Sequence, residues 1–350
     1  MAGVTYKCPN CGAYLTFDPD SQQWKCPFCS SAFPESELKG KAEAFQKEAE
    51  KEAKEPSSGA QVVYHCPSCG SEIMTDETTV ATHCYYCHSP VVLQGKLTAD
   101  MKPDEVLPFT IGREKAIEEI SEWIRTRKFV PKKFFSKAQI QEMSGVYYPH
   151  FVSECQTEGV LDGEATTSDV FDEGKYVVTN TRHYHVRREG RFVFKDILRP
   201  ALSKANRKLT EGVHPFPLED AKPFSGAFLS GFLAERRDLE ADSYRQEIEQ
   251  ELQGYMNSML RDTASQYQTC SANTTAAVKK IKTKYVLLPT WVLTYPNKKN
   301  KDEPYYYVMN GCTGQVCGKL PVDMGRLWRH GLLAGLIVAA LFCVLAYFLF

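Results

Sequence analysis

The spacing of apolar residues changes along the chain and predicts both helices and strands. Between 112 and 128 the isoleucines recur at helical spacing and predict an amphipathic helix. Within 145–198, runs of aromatic and β-branched residues alternate with turn residues and predict strands. The other elements predicted in this way are a long charged helix at 235–262 and strands at 284–295 and 305–310. Together these elements indicate one mixed α+β domain over 96–322.

The apolar pattern becomes continuous at the end of the sequence and predicts a membrane-spanning helix. Residues 331–350 read GLLAGLIVAALFCVLAYFLF and carry no charge. Twenty helical residues at about 1.5 Å each cover roughly 30 Å, the thickness of a bilayer's hydrocarbon core. The preceding segment 323–330 is basic. The positive-inside rule therefore predicts a single-pass protein of the cell membrane with its N-terminal domains in the cytoplasm.

Eight of the 13 cysteines form two sets with the same internal spacing. Each set consists of two Cys-x-x-Cys pairs, and each cysteine of the second set stands at an offset of 58 from its counterpart in the first. The repeat indicates a duplicated module, which we interpret as two N-terminal zinc ribbons at 1–34 and 61–95. The predicted metal ligands are Cys8, Cys11, Cys26 and Cys29 in the first ribbon and Cys66, Cys69, Cys84 and Cys87 in the second.

Two facing Cys-x-x-Cys turns favour a tetrahedral metal site. They supply four sulfur ligands at about 2.3 Å from a Zn²⁺ ion and leave no open position for water or substrate. The sequence therefore predicts two structural Zn²⁺ ions. Disulfides, a redox pair or iron are the alternatives, and His65, His83 or His88 could replace a ligand of the second site. Reduced thiolates agree with a cytoplasmic location.

The distribution of charge bears on the class of partner. The chain has 42 basic and 43 acidic residues, so its net charge of −1 does not indicate a protein that binds nucleic acid through bulk charge. Both ribbons are poor in lysine and arginine, which supply most of the affinity for phosphates, so a protein partner is favoured over nucleic acid. A charged helical linker is predicted at 35–60, between the ribbons.

One basic cluster lies between Trp123 and Lys137 and contains no acidic residue. Three interpretations are open: a solvated helix end and loop, a surface that contacts anionic lipid headgroups, and a surface that binds RNA or DNA. Because the chain has a predicted membrane segment, membrane lipid is one of its expected partners. The cluster consists of Arg125, Arg127, Lys128, Lys132, Lys133 and Lys137.

No recognisable catalytic motif occurs in the sequence, and the chain is predicted not to be an enzyme. The segment 311–320 resembles a phosphate-binding loop. However, Thr313 stands where the motif needs glycine, and Leu320 stands where it needs serine or threonine. A hairpin turn between two strands is therefore the better interpretation.

Two further pairs of residues could carry chemistry. His183 and His185 share one face of a predicted strand and could bind a metal, but we expect an exposed pair without that role. Cys312 and Cys317 could form a reactive pair, but we expect two reduced cysteines on strands. Neither pair predicts a catalytic residue.

Several motifs besides the ribbons are spread over nearly the whole chain. They are Gly145-Val-Tyr-Tyr-Pro-His-Phe, Phe228-Leu-Ser-Gly-Phe-Leu-Ala-Glu, Leu288-Pro-Thr-Trp-Val-Leu and Met309-Asn-Gly-Cys-Thr-Gly-Gln-Val-Cys-Gly-Lys-Leu-Pro. Together with the ribbons they resemble those of one bacterial family, whose members are usually labelled TFIIB-type zinc-ribbon proteins, or primosomal protein N′-like. The resemblance implies work in membrane stress or membrane organisation, because such proteins are encoded beside phage-shock-protein-A homologues and SPFH or flotillin-like proteins. It supplies no active site.

These observations predict a membrane-anchored zinc-ribbon scaffold or adaptor that recruits or organises cytoplasmic proteins at the bacterial membrane. The resemblance implies phage-shock-protein-A-like or SPFH and flotillin-like proteins as its partners. The alternative is a nucleic-acid-binding zinc-ribbon protein associated with transcription or replication, which would use the basic cluster as its contact surface. A third class, an enzyme with a site between the strands, would need a cluster of carboxylates or histidines in a cleft.

Overall fold

The protein combines helices with mixed β-sheets, which confirms the predicted α+β class. The structure, a computed structural model, describes residues 6–38, 61–65, 72–76, 78–83, 90–92, 101–131, 143–295 and 305–349. Most of the predicted linker at 35–60 lies outside these residues. The helices are α1 Arg113–Arg125, α2 Arg207–Glu211, α3 Arg245–Asp262 and α4 Met324–Leu349.

Most of the strands are short, and three are very long. The long strands are β9 Ser144–Glu173, β10 Tyr176–Pro200 and β13 Thr269–Tyr295. The short strands of the N-terminal part are β1 Thr16–Asp18, β2 Gln23–Lys25, β3 Ala32–Phe33, β4 Gln61–His65, β5 Glu72–Asp76, β6 Thr79–His83 and β7 Pro90–Val92. The others are β8 Glu105–Val106, β11 Lys222–Pro223, β12 Leu233–Glu235, β14 Tyr305–Asn310 and β15 Val316–Gly318.

The described strands form one large sheet and two small ones. The large sheet has ten strands, seven of them in the order β11-β8-β13-β9-β12-β6-β7; β10 pairs with β9, and β14 joins β13 to β15. Most pairs are antiparallel, but β12 runs parallel to β9 and β8 runs parallel to β13. The small sheets are β1-β2-β3 and β4-β5.

The long strands form a three-stranded antiparallel ribbon with β9 in the middle. Helix α3 packs on this ribbon through Ile248, Leu252, Met256 and Leu260, which recur every four residues and are buried. The close approach of the helix requires a glycine: a Cβ atom at Gly159 would lie 2.8 Å from Leu260 Cδ1. The helix and the ribbon thus form two layers.

Two boundaries differ from the prediction. The charged helix was predicted from residue 235 but begins at Arg245, because 233–235 form β12 and 241–244 form a 3₁₀ turn. Strand β13 begins at Thr269, well before its predicted start at 284. Its first half alternates between exposed residues and half-buried ones such as Cys270, Ala272 and Val278. These residues are small, so the alternation gives little hydrophobic signal.

An aromatic core lies where α1 meets the large sheet. The rings of Phe109 and Phe232 stack with centroids 4.3 Å apart, and Tyr147 and Trp291 each lie 5.0 Å from Phe109. All four side chains are buried. Helix α1 confirms the predicted amphipathic helix and turns Ala116 and Ile120 toward the interior.

Helix α4 contains the apolar C-terminal segment. Its residues Met324–Cys343 are long and apolar enough to cross a membrane, by length and composition. Within the part of the helix that the structure describes, the large apolar side chains are exposed, as in Leu336 and Phe342, both 70% exposed. The helix begins before the predicted span at 331–350, because the Asp323 side chain accepts a hydrogen bond from the Arg326 backbone N–H at 3.1 Å.

Candidate metal centre

The structure brings together the four cysteines predicted for the first ribbon. Cys8 Sγ lies 3.5 Å from Cys29 Sγ, and Cys11 Sγ lies 3.4 Å from Cys26 Sγ. All four sulfur atoms lie within 4.8 Å of one another. A tetrahedron with metal–sulfur bonds of about 2.3 Å has sulfur atoms roughly 3.8 Å apart. The dimensions of the cluster therefore fit one metal ion held by four thiolates.

Two equivalent turns position the sulfur atoms. In the first, Cys8 N–H donates to Ala13 O at 2.7 Å and Gly12 N–H donates to Cys8 O at 2.9 Å. In the second, Cys26 N–H donates to Ser31 O at 2.8 Å and Ser30 N–H donates to Cys26 O at 3.0 Å. Both turns need a left-handed residue, which is Gly12 (φ 75°) in the first and Ser30 (φ 58°) in the second.

Burial and charge differ among the four sulfurs. Cys8 and Cys26 are buried, whereas Cys11 and Cys29 face solvent. A hydrogen bond with the Ser31 side chain lowers the pKa of the Cys29 thiol to about 6, which favours the thiolate form that binds metals. Four sulfur ligands complete a tetrahedral shell, so a metal here would be structural and could not bind a substrate directly.

The first ribbon is joined to the large sheet by hydrogen bonds between residues far apart in sequence. Trp24 Nε1 donates to Ala227 O at 3.0 Å, and Phe17 N–H donates to Ser230 O at 3.0 Å. On the other side, the backbone N–H of Gly112 donates to the Asp20 side chain at 3.1 Å. The backbone of the ribbon hairpin is thus fixed to the turn at 226–230 and to the start of α1.

Aromatic packing continues across the same boundary. The rings of Phe17, Trp24 and Phe228 lie 5.1 to 5.3 Å from one another. Trp24 and Phe228 are each only 1% exposed, and the ribbon shares one hydrophobic core with the α+β part. The Phe228 motif was noted, but nothing in its spacing predicts that it packs against a ribbon.

The segment predicted to form the second ribbon is described mainly in its strands. Cys66, Cys69, Cys84 and Cys87 lie outside the described residues. Some strand pairs nevertheless repeat at the offset of 58 that the cysteines predict, whereas the β1–β2 pair has no counterpart among the described strands. Trp24↔Phe33 and Lys25↔Ala32 in the first copy correspond to Thr82↔Val91 and His83↔Pro90 in the second, and Lys7↔Tyr14 corresponds to His65↔Glu72.

The second copy attaches to the rest of the protein differently. Strand β6 pairs with β12 through Ala234↔Ala81, and so enters the large sheet. Thr78 Oγ1 also donates to the Glu235 carboxylate at 2.6 Å. The segment predicted as the first ribbon therefore packs on the α+β part through its aromatic core, whereas a strand of the segment predicted as the second extends the sheet.

A groove of about 430 Å³ lies where the two ribbon modules meet α1. Phe28, in the second metal-binding turn, is 74% exposed at its edge. The groove combines aromatic residues with charged ones, which is the composition expected of a binding surface. Its lining includes Pro27, Phe28, His83, Glu114, Phe232 and Trp291.

The other predicted residues take structural positions. His183 and His185 are exposed on β10, and His185 Nε2 lies 3.2 Å from the Asp162 carboxylate. Cys312 Sγ donates to Pro108 O at 3.3 Å, and burial raises the pKa of this thiol to about 12. Cys317 is a separate free cysteine on β15. The expected exposure of the histidine pair agrees with these positions, but Cys312 lies in the turn between β14 and β15 and not on a strand as predicted.

The loop that resembles a phosphate-binding loop is the hairpin turn between β14 and β15, as predicted. Asn310 is fully buried, and its hydrogen bonds explain why an asparagine stands at the start of the Asn-Gly-Cys-Thr-Gly motif. The Asn310 Nδ2 atom donates to Val213 O and Pro215 O, both at 2.9 Å, and Oδ1 accepts from the N–H groups of Cys312 and Thr313. The Asn-Gly-Cys-Thr-Gly segment thus has a structural role, because Asn310 links the turn between β14 and β15 to the backbone at Val213 and Pro215.

Comparison with known proteins gives one similarity over nearly the full length. The chain is 27% identical over 339 residues to the Bacillus subtilis (strain 168) protein named "Uncharacterized protein YdjG", and the match covers 96% of each chain. No family model matches the sequence, and no solved structure matches it. The similarity therefore extends over nearly the whole chain, and the relative's name gives no function.

Proposed function

We propose that this protein is a membrane-anchored adaptor whose zinc ribbons present a binding surface for cytoplasmic proteins at the bacterial membrane. In this proposal each ribbon holds one structural Zn²⁺ ion. The four sulfurs of the first ribbon have the dimensions of such a site. The strand register repeated at an offset of 58 supports the same site in the second ribbon. Neither ion has an open position for catalysis.

The anchor in this proposal is α4, which would cross the membrane once with the ribbons on the cytoplasmic side. Its apolar segment has the required length. Arg326 and Arg329 precede the uncharged run that begins at Gly331, and the positive-inside rule places such residues in the cytoplasm. Thiolate-bound zinc requires the same reducing side, so two independent arguments agree.

The exposure of the Phe28 side chain is the observation that best supports an adaptor function. A soluble domain normally buries an aromatic ring, yet the Phe28 ring is 74% exposed on a turn that a metal would hold rigid. It stands at the edge of the 430 Å³ groove. A rigid exposed aromatic side chain beside a concave surface is typical of the anchors that dominate protein–protein interfaces. The occupant proposed here is therefore a segment of another protein.

The identity of the partner rests on the resemblance. Phage-shock-protein-A-like and SPFH or flotillin-like proteins are the candidates, because they are encoded beside the family whose motifs this chain resembles. They would bind through the groove, and the protein would concentrate them at the bilayer during membrane stress or membrane organisation. Nucleic acid remains the alternative class of partner.

Photo-cross-linking of the full-length protein in cells tests the proposal. A photoreactive amino acid replaces Glu114, which is exposed in the groove, and in a matched control it replaces Lys115, which is exposed outside its lining. We expect a discrete set of protein adducts from position 114 that is absent from position 115. Phe28→Ser in the same chain should abolish these adducts, because it removes the anchor.

Val193→Ser is the control for loss of an exposed apolar side chain, since Val193 is 56% exposed on β10, away from the groove lining. This control should leave the adducts unchanged. Membrane association and zinc content should be the same in all variants. Adducts that survive Phe28→Ser would contradict a groove-centred interface, and adducts to RNA or DNA would favour the alternative class.

A further inference from the structure

The first turns of α4 lie against the segment that follows α1, which is far away in the sequence. The backbone N–H of Asp323 donates to Phe129 O at 2.7 Å, and Arg326 Nη1 donates to Val130 O at 3.4 Å. The rings of Phe129 and His330 meet edge to face with centroids 5.5 Å apart. These contacts hold the basic end of α1 beside the start of the apolar helix.

Cations predominate on both sides of this contact. Segments 122–131 and 323–330 together contain five arginine or lysine residues and two acidic residues. One acid, Asp323, pairs with Arg326 at 3.5 Å, and the other, Glu122, is exposed one turn before the end of α1. Within the part of the chain that the structure describes, no ion pair joins the other four cations to a carboxylate. These four exposed residues, called here the basic collar, are Arg125, Arg127, Lys128 and Arg329.

Two tryptophans accompany the collar. The Arg127 guanidinium lies over the Trp123 ring, 5.0 Å from its centroid, and this ring is half-buried. Trp328 is 66% exposed, just before the uncharged run begins at Gly331. Tryptophan is enriched at the level of lipid headgroups, where one part of the ring is in an apolar and the other in a polar environment. Exposed cations next to accessible indole rings match the chemistry of that layer.

We infer that the basic collar binds the headgroups of anionic phospholipids around α4, an inference that rests on the proposed insertion of this helix in a bilayer. The collar lies at the level where an inserted α4 leaves the hydrocarbon core. Its guanidinium and ammonium groups donate to lipid phosphate oxygens, and each cation near an anionic surface raises affinity about fivefold. Because α1 also borders the groove, headgroup binding fixes the orientation of the ribbons toward the bilayer.

Quenching of tryptophan fluorescence by brominated lipids tests the inference on the full-length protein reconstituted in bilayers. Trp24 and Trp291 are 1% and 4% exposed inside the protein, so brominated acyl chains do not reach them. Trp328 is the reporter, and Trp328→Phe should remove most of the quenching. We expect brominated anionic phospholipid to quench at lower mole fraction than brominated phosphatidylcholine, with a preference of about fivefold or more.

The variant Arg125→Gln, Arg127→Gln, Lys128→Gln should reduce this preference to nearly one. Higher salt should weaken it as well, since the Debye length falls from about 10 Å at 0.1 M to about 3 Å at 1 M. The control Lys175→Gln, Lys195→Gln, Lys282→Gln removes the same charge from exposed positions on or beside the long strands and should leave the preference unchanged.

The outcomes separate this inference from the proposed function. Equal quenching by anionic and neutral lipid would contradict headgroup binding by the basic collar, but it would still agree with insertion of α4 in the membrane. Absence of quenching by either lipid overturns both, since α4 would then lie outside the bilayer. Loss of the preference on addition of inorganic phosphate or a short RNA at constant ionic strength also overturns the inference, because the cations would then form an anion site or a nucleic-acid surface.

Discussion

The buried His150 makes the stability of the sheet depend on pH. This side chain lies on β9, is 2% exposed and is close enough to His214 to interact with it electrostatically. Its Nδ1 atom lies 3.2 Å from Tyr148 O, and because a carbonyl only accepts, the proton of the neutral ring is on Nδ1. Nε2 has no hydrogen-bond partner among the described residues. Protonation would therefore place an unpaired N–H and a charge in the interior.

Burial lowers the pKa of His150 to about 4, compared with 6.5 for an exposed histidine. The unfolded chain then binds a proton more readily than the folded one, so stability is complete above pH 6.5 and is lost as the pH falls toward 4. A difference of this size corresponds to about 3 kcal/mol, or roughly 1.4 kcal/mol for each pH unit within the window. Burial also lowers the pKa of His214, which adds to the loss in the same direction.

The measurement compares urea unfolding of the full-length protein and of His150→Asn between pH 7.5 and 4.5. Asparagine can keep the hydrogen bond to Tyr148 O with its amide nitrogen, but it does not titrate. Zinc sites also lose their metal in acid because the thiolates are protonated, and this loss is common to both chains. The difference between the two proteins therefore isolates His150. Parallel stability curves for the two chains across the window would refute the reasoning.

Three further predictions concern the metal centre and the loop at Asn310. Ser30→Gly should raise the midpoint of thermal unfolding, because it removes about 1 kcal/mol of left-handed strain that Gly12 avoids in the equivalent turn; an unchanged or lower midpoint would contradict this. Cys26→Ser should lower the zinc content, measured by elemental analysis, from two ions per chain to one, and an unchanged content would exclude the first ribbon as a zinc site. Asn310→Ala should cost about 3 kcal/mol in urea unfolding, because two buried carbonyls lose their donors; a loss under about 1 kcal/mol would show that water replaces them.

Elements with strong local signals were predictable from the sequence. Helix α1 follows from isoleucines at helical spacing, and strand structure within 145–198 follows from aromatic and β-branched residues. The turns predicted inside this segment were wrong, because it forms two continuous strands, β9 and β10, joined by one short connection. The boundaries that were missed have weak signals. Along the first half of β13, small residues such as Ala272 face α3 and alternate with exposed residues. Because small residues contribute little hydrophobicity, this alternation gives a sequence pattern that is also typical of a loop. Whether such a segment is a strand depends on the helix that covers it.

The metal centre was predictable to the level of its ligands, and its surroundings were not. Cysteine spacing fixes which sulfurs can share a turn, since the hydrogen bonds of each turn join residues close together along the chain. The exposure of Phe28 cannot be read from its neighbours, because Phe17 and Trp24 of the same segment are buried by a distant part of the chain.

The sequence by itself determined which four cysteines come together at the candidate metal site, the repeat of the Cys-x-x-Cys module, the α+β class and the apolar helix, because each depends on residues close together along the chain. Tertiary structure decided where these parts lie. It packed Trp24 against the distant turn at Ala227, joined β6 to the large sheet, and brought the basic end of α1 to the start of α4. Such contacts depend on the burial of complementary surfaces, and the spacing of residues within one segment carries no information about the surface that will cover it.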